Sequence, residues 1–303
     1  MDKLTYKEKV ELLRAVGEAQ NVKEREAYIK SRAEKIQEHV KRKSFAREIF
    51  KEVELEPGAE PVFELDAELQ EDTTYVSNSY GTPIKTQVTG GNRFYIPCDW
   101  LEDYRDFTME DARNGRLDVA EKAELELANA FIRKADTAAF ALMKSAIPSS
   151  NVVDISSTSF DFDLLNELMI VFDQIREKYP DLQMRVLYLS PRSAGDLRAW
   201  AKANLGDATK EDMKAVGVDT DTFRIPGFNI LFHKVPYSSF IADNEVYLVD
   251  NERLGRFVVR ESMETQEDPT AAAEWKIGIM AREKIGLGIT NPYAVVKGVI
   301  TRS

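Results

Sequence analysis

The chain has 303 residues, with 41 Lys+Arg against 52 Asp+Glu and a formal charge of −11, and its 43 % hydrophobic content is that of a globular protein long enough to hold a core without disulfides or metals. A lone cysteine, Cys98, excludes an intrachain disulfide framework and a Cys-rich metal site, and the two histidines, His39 and His233, exclude a multi-His site within one chain. The acidic balance argues against nucleic-acid binding over the whole surface, and no stretch approaches the ~20 apolar residues of a membrane span, so a soluble protein of a reducing cytoplasm is expected.

Residues 1–43 stand apart, with 12 Lys+Arg against 8 Asp+Glu, which leaves 29 against 44 for the remainder. Val22, Ile29 and Ile36, with Ala33 and Val40, fall on one helical face opposite Lys, Arg and Glu. Gly17 is expected to divide the run into a short helix and a longer one. A stripe this narrow on a charged helix reads as an arm rather than a core element. Residues 52–72 reverse the charge: Glu52, Glu54, Glu56, Glu60, Glu64, Asp66, Glu68, Glu71 and Asp72 are nine acids with no base. From Phe63 to Leu69 apolar and acidic residues alternate as in a strand. Strand-like runs follow at Thr73–Tyr80, Ile84–Thr89 and Arg93–Pro97, separated by Gly81-Thr82-Pro83 and Gly90-Gly91-Asn92. A polar hairpin of this kind buries little by itself.

The spacing of Ala120, Ala123, Leu127, Phe131, Ala135, Ala138, Leu142 and Ala146 predicts one helix over 117–147. At 1.5 Å per residue it spans about 46 Å, a spine against which a sheet can pack closely. From about 156 to 253 the pattern is α/β. A helix over Leu164–Tyr179, capped by Asp163, leads to a strand at Arg185–Leu189, and a turn at Ser190-Pro191-Arg192 caps a second helix over Ser193–Asn204. After the polar loop Gly206–Asp221 come strands at Asn229–His233 and Glu245–Val249. The remainder is strand-rich: Arg256–Met263, Ala273–Glu283, Lys284–Ile289 and Ala294–Ile300, with a tip at Thr265–Thr270.

No catalytic constellation emerges. Gly286-Leu287-Gly288 is half of a dinucleotide fingerprint, but the third glycine is missing and Pro292 blocks the helix that should follow, so no cofactor is expected. Cys98 carries no nucleophile signature and reads as a small hydrophobe, buried or half-buried. His233 reads as a strand-end histidine bonded to backbone, and His39 as solvated. The pairs Asp161/Asp163 and Asp219/Asp221 lack the glycine and bidentate glutamate of a calcium loop, and no metal is expected.

The order of elements is more telling than any motif. A charged helical arm, a long polar hairpin, a spine helix, an α/β domain and a return to strands resemble, over nearly the full length, the tailed-phage major capsid proteins of the Hong Kong ninety-seven type. Phe94-Tyr95-Ile96-Pro97 running through Trp100–Met109 resembles the return of the family's E-loop to its P-domain. Leu187-Tyr188-Leu189-Ser190-Pro191 is similar to the central strand and helix of the A-domain. Ile225–Ile230, Val246–Asp250 and Leu254-Gly255 resemble its later strands. Ile277–Glu283 and Gly288–Val295 resemble the strands that close the fold.

The resemblance implies an α+β capsid fold: N-terminal helical arm 1–50, E-loop hairpin 51–100, P-domain with spine helix 101–155, A-domain 156–253 and P-domain return strands 254–303. It implies a protein that is not an enzyme, self-assembling as pentamers and hexamers into an icosahedral shell around double-stranded DNA. The shell would be assembled in the host cytoplasm and end as the virion capsid. Implied partners are other copies of the chain, a scaffolding protein (separate, since a 43-residue arm is too short for an internal scaffolding domain), a portal protein, a decoration protein and weakly contacted DNA, with no membrane. Contacts between copies are expected at Glu54, Glu64, Asp66 and Glu68 in the hairpin, with Lys85 beside them. Lys30 in the arm and Asp268 and Pro269 at the tip, near a three-fold axis, complete the set. The loop 206–221 would lie near the five- or six-fold axis. Some relatives cross-link through an E-loop lysine and a P-domain asparagine; Lys85 and Asn291 are the counterparts here, and Glu283 is the candidate for a catalytic glutamate, though the sequence places none convincingly beside them. An encapsulin-type nanocompartment shares the fold, and a cytoplasmic carboxylate-based enzyme is the reading from another class.

Overall fold

The computed structural model describes residues 6–18, 22–56, 58–64, 93–155, 157–196, 222–224, 230–236, 239–268, 270–271 and 274–302. The arm forms α1 (Tyr6–Glu18) and α2 (Val22–Lys43), whose last turn carries Lys41, Arg42 and Lys43 against the negative end of the helix dipole. The first helix runs through Gly17 to Glu18, so the glycine does not end it. A four-residue helix, α3 (Ala46–Ile49), turns the chain into β1 (Lys51–Glu54). Then β2 (Val62–Glu64) and β3 (Arg93–Tyr95) pair antiparallel as the base of a hairpin. The strand runs expected at 73–80 and 84–89, the acids from residue 65 onward and the loop 206–221 lie outside the described residues.

A long strand, β4 (Asp99–Thr108), leads through α4 (Met109–Arg113) into the 30-residue helix α5 (Leu117–Ala146). Beyond it come β5 (Val152–Ile155), α6 (Phe162–Lys178) and β6 (Val186–Leu189). A helical stretch begins at Pro191, its first turn closed by Ser193 N–H donating to Ser190 Oγ at 3.2 Å. The chain continues through β7 (Thr222–Arg224), β8 (Leu231–Lys234) and β9 (Glu245–Val249), and finishes with β10 (Gly255–Glu267), β11 (Lys276–Ile289) and β12 (Val295–Ile300).

Two main sheets result. One has the order β1-β10-β11-β4, with β1 parallel to β10 and the rest antiparallel; the other has the order β5-β12-β9-β6-β8-β7. The strands of residues 254–303 therefore divide. β10 and β11 belong to the four-stranded sheet, whereas β12 lies inside the six-stranded one, between β5 and β9. One apolar cluster fills the space between α6, the second half of α5 and the six-stranded sheet; a second joins the arm, the first half of α5 and the four-stranded sheet.

Four local expectations are corrected. Residues 273–283 and 284–289 do not form two strands, because β11 runs unbroken from Lys276 to Ile289 and keeps register with β4 across Glu283 and Lys284. The cap of α6 is Asp161, whose Oδ1 accepts from Leu164 N–H at 3.0 Å; Asp163 sits in the first turn. The buried stripe of α5 follows the expectation as far as Ala135 and then continues through Ala139, Phe140 and Met143, leaving Ala138 exposed. The arm is part of a core: Ile29, Ile36 and Val40 are buried in the same cluster as Leu127 and Phe131 of α5.

Candidate assembly elements

The arm is fastened to its own subunit by cations that each reach a different element. Arg25 Nε lies 2.8 Å from Glu267 at the end of β10, with both side chains under a tenth exposed. Arg32 Nε lies 3.3 Å from Glu124 of α5, and its Nη2 donates to the Tyr28 hydroxyl at 2.8 Å. Burial pushes the Glu124 carboxyl up against the opposing pull of Arg32. Thr265 Oγ1 donates to the carbonyl of Ile29 at 2.7 Å, and Lys41 pairs with Glu54 of β1 at 2.9 Å.

Where the arm ends, buried polar groups take over. Asp136 of α5 accepts from Ser44 Oγ and from Ala46 N–H, both at 2.8 Å, and so holds the turn that starts α3. Its Oδ2 has no hydrogen-bond partner among the described residues, and burial raises its pKa to about 6. The sequence suggests a backbone partner for His233. Instead its Nδ1 lies 2.7 Å from Glu48 Oε1, because the parallel pairing of β8 with β6 brings the strand end beneath α3. The imidazole stacks on Tyr188, and the Phe45 ring lies tilted against it. One residue before Glu48, Arg47 bonds Glu52 of β1 and Glu283 of β11, the latter at 2.6 Å.

The returning side of the hairpin is seated differently. Ile96 N–H donates to Pro61 carbonyl at 2.9 Å, and Ile96 itself is buried. Beneath it lie Gly286 and Gly288 of β11. A Cβ on Gly286 would stand 2.6 Å from the Pro97 carbonyl oxygen, and one on Gly288 2.6 Å from Ile96 Cδ1. The glycines that resembled half a phosphate loop make room for the hairpin base. Cys98 is half-buried there, its thiol pushed up by burial. At the opposite end of the same sheet the β10–β11 connection carries Trp275, 69 % exposed and at φ 59°, with its carbonyl accepting from Met109 N–H. An exposed indole in a left-handed backbone is a strained arrangement for a bulky residue.

The residues singled out from sequence are dispersed. Glu54 is engaged by Lys41 and Glu64 faces Arg93 across the hairpin at 3.5 Å, so these acids meet bases of their own chain. Lys41, Arg47 and Arg93 stand on either side of the base-free run in sequence, outside residues 52–72. Lys30 is exposed on α2. Asp268 closes a turn by accepting from Thr270 N–H at 2.9 Å. Asn291 is buried, its carboxamide oxygen accepting from Tyr293 N–H at 2.9 Å, and Glu283 is buried against Arg47. Asp66, Glu68, Lys85 and Pro269 lie outside the described residues. His39 is half-buried on α2, lining a shallow pocket with Lys35, Glu121 and Leu125. Among the described residues no group of three or more His, Cys, Asp or Glu could hold a metal, and no helix is long and apolar enough to cross a membrane. Arg47, Asp136 and Trp275 are not singled out by the sequence. The one available signal is an aspartate on the apolar stripe of α5, four residues after Ile132 and four before Phe140.

A family model described as phage capsid protein matches residues 102–298. Among solved structures, the chain is similar to a virus-like particle from Pyrococcus furiosus, at 15 % identity and a TM-score of 0.55, covering 90 % of this chain and 98 % of that one. It is similar to a structure from Microbacterium phage Oxtober96, at 14 % identity and 0.57, covering 86 % and 91 %. A third is the capsid of Ralstonia phage GP4, at 11 % identity and 0.57, covering 82 % and 86 %. No curated protein matches the chain. At these identities the structural likenesses establish the fold.

Proposed function

The chain belongs to the phage capsid protein family, which is structural and non-catalytic, and from that premise we propose that it is the major capsid protein of a tailed phage, assembling as pentamers and hexamers into an icosahedral shell around double-stranded DNA. In this reading the α1–α2 arm and α3 form the N-terminal arm, and the hairpin rooted at β2 and β3 is the E-loop. β4, α5, β10 and β11 form the P-domain, and the six-stranded sheet with α6 forms the A-domain. The observation that carries the reading is a body built from two packed cores with a hairpin whose base leaves its apolar side chains unburied, Val62 and Tyr95 among them. Of the six described residues in β2 and β3, none is buried. Such a hairpin gains its burial from another copy, and head-to-tail contacts of this kind close into rings and shells. The acids of 65–72 would there meet basic groups of a neighbour, and Asp268, Pro269 and Trp275 would meet their counterparts where three subunits converge. Lys85 and Asn291 remain the cross-linking pair of this proposal. A separate scaffolding protein, a portal protein and a decoration protein are its further partners, with DNA touched lightly and the virion as its final place.

Size-exclusion chromatography followed by negative-stain microscopy tests this. Rings, sheets or shells in the megadalton range are expected; a discrete monomer or dimer as the sole species would contradict it. The near-complete coverage of the Pyrococcus furiosus particle subunit favours one second reading, a shell that encloses protein cargo. The ultraviolet absorbance ratio of particles purified from their natural source separates the two, since packaged DNA dominates absorbance at 260 nm.

A further inference from the structure

Where the hairpin leaves the body, one buried guanidinium gathers several segments. Arg47, on α3, donates through Nη1 to Glu52 of β1 and through Nη2 to Glu283 of β11 at 2.6 Å. Its plane lies over the Phe257 ring of β10, 4.6 Å from the centroid. Lys41, at the end of α2, bonds Glu54 at 2.9 Å and reaches the same Glu52 at 3.9 Å, so two cations face three carboxylates. The Arg47 and Glu283 side chains are 4 % and 2 % exposed.

This cluster stands where the apolar anchoring supplied by Ile49 and Phe50 ends. β1 is an edge strand with β10 as its ladder partner, and none of its four residues is buried. A planar fork holding two carboxylates at fixed angles constrains direction as well as distance. Buried ion pairs add little net stability, since desolvation offsets the attraction, so fixing a geometry is the better account of this one. Gly286 and Gly288 supply the matching constraint on the returning strand.

We infer that Arg47 is the positioning residue of the hairpin: gripping Glu52 and Glu283 together, it fixes the direction in which residues 55–92 depart and so the angle between neighbouring copies. The second half of this statement rests on the shell reading; the anchoring of β1 does not. Hydrogen exchange on the unassembled chain tests the anchoring. In Glu52→Gln and in Arg47→Met the amides of residues 51–55 should exchange about tenfold faster than in the wild type, with β9 and β12 unchanged, and Arg47→Lys should lie between. Glu52 is 27 % exposed, so its variant reports even where Arg47→Met fails to fold. Wild-type protection at 51–55 in Glu52→Gln would overturn the assignment. In assembled material, particles of mixed diameter are expected from Glu52→Gln against a single wild-type diameter; uniform wild-type particles would overturn the positioning role. A wild type that never assembles counts against the shell reading and leaves the exchange result to decide the role of Arg47.

Discussion

Asp136 spends its one well-placed oxygen on the start of α3 and leaves the other without a partner, so ionising it in place is costly. Its folded pKa of about 6 lies above the ordinary 3.8, so the folded chain binds this proton more tightly than the unfolded one. The resulting stability is fully present below pH 3.8 and is lost as pH rises through about 6. A difference of this size between the folded and unfolded carboxyl is worth about 3 kcal/mol at most. Urea unfolding of the wild type relative to Asp136→Asn should show the wild type gaining ground steadily between pH 7 and pH 4; a difference independent of pH would contradict the assignment. A second residue-scale test uses glycine. Gly286→Ala would press a methyl group onto the Pro97 carbonyl and the Cys98 sulfur, and should cost about 1–3 kcal/mol in thermal or urea unfolding. Gly195→Ala, in the helix that opens at Pro191 with nothing near its Cβ among the described residues, should instead gain about 0.4–1 kcal/mol.

At the scale of elements, the arm is a structural part of the subunit that carries it. Ile36 is 2 % exposed between α2 and α5, and Ile36→Ala should lower unfolding free energy by about 2–4 kcal/mol, while Lys30→Ala on the exposed face should stay within about 0.5 kcal/mol. Equal effects from the two would mean that the arm is not docked as described. Helices with strong periodicity are legible from the residues: α2, α6 and the first half of α5 lie where the spacing places them. The end of α5 is not, because Ala138 and Leu142 look as apolar as Ala139 and Met143, and Asp136 fills a buried position that pattern reading gives to a hydrophobe. The Glu283-Lys284 step has the look of a polar turn. In the fold the two side chains alternate across one strand, Glu283 inward to Arg47 and Lys284 outward over the Trp100 ring. The clamps at Arg25, Arg32 and Arg47 join residues far apart in sequence, and no spacing rule reaches them. Of the candidate contacts, the acids are visible as a charge run, while their partners in the same chain lie beyond its ends and meet them only in the fold.

For the whole molecule, the charge of −11 resolves into a basic arm, three of whose bases (Arg25, Arg32 and Lys41) pair with carboxylates elsewhere in the chain, and an acidic remainder. In the proposed shell, such a distribution would suit contacts between copies and an interior that holds nucleic acid without gripping it. Two cores, an arm locked in place and a hairpin with a fixed root describe a subunit prepared for neighbours. The most direct test is a single-particle reconstruction of the purified assembled chain. The account predicts a closed shell in which the segment after β2 of each copy crosses onto an adjacent one. A discrete small oligomer with that segment folded over its own two sheets would contradict it.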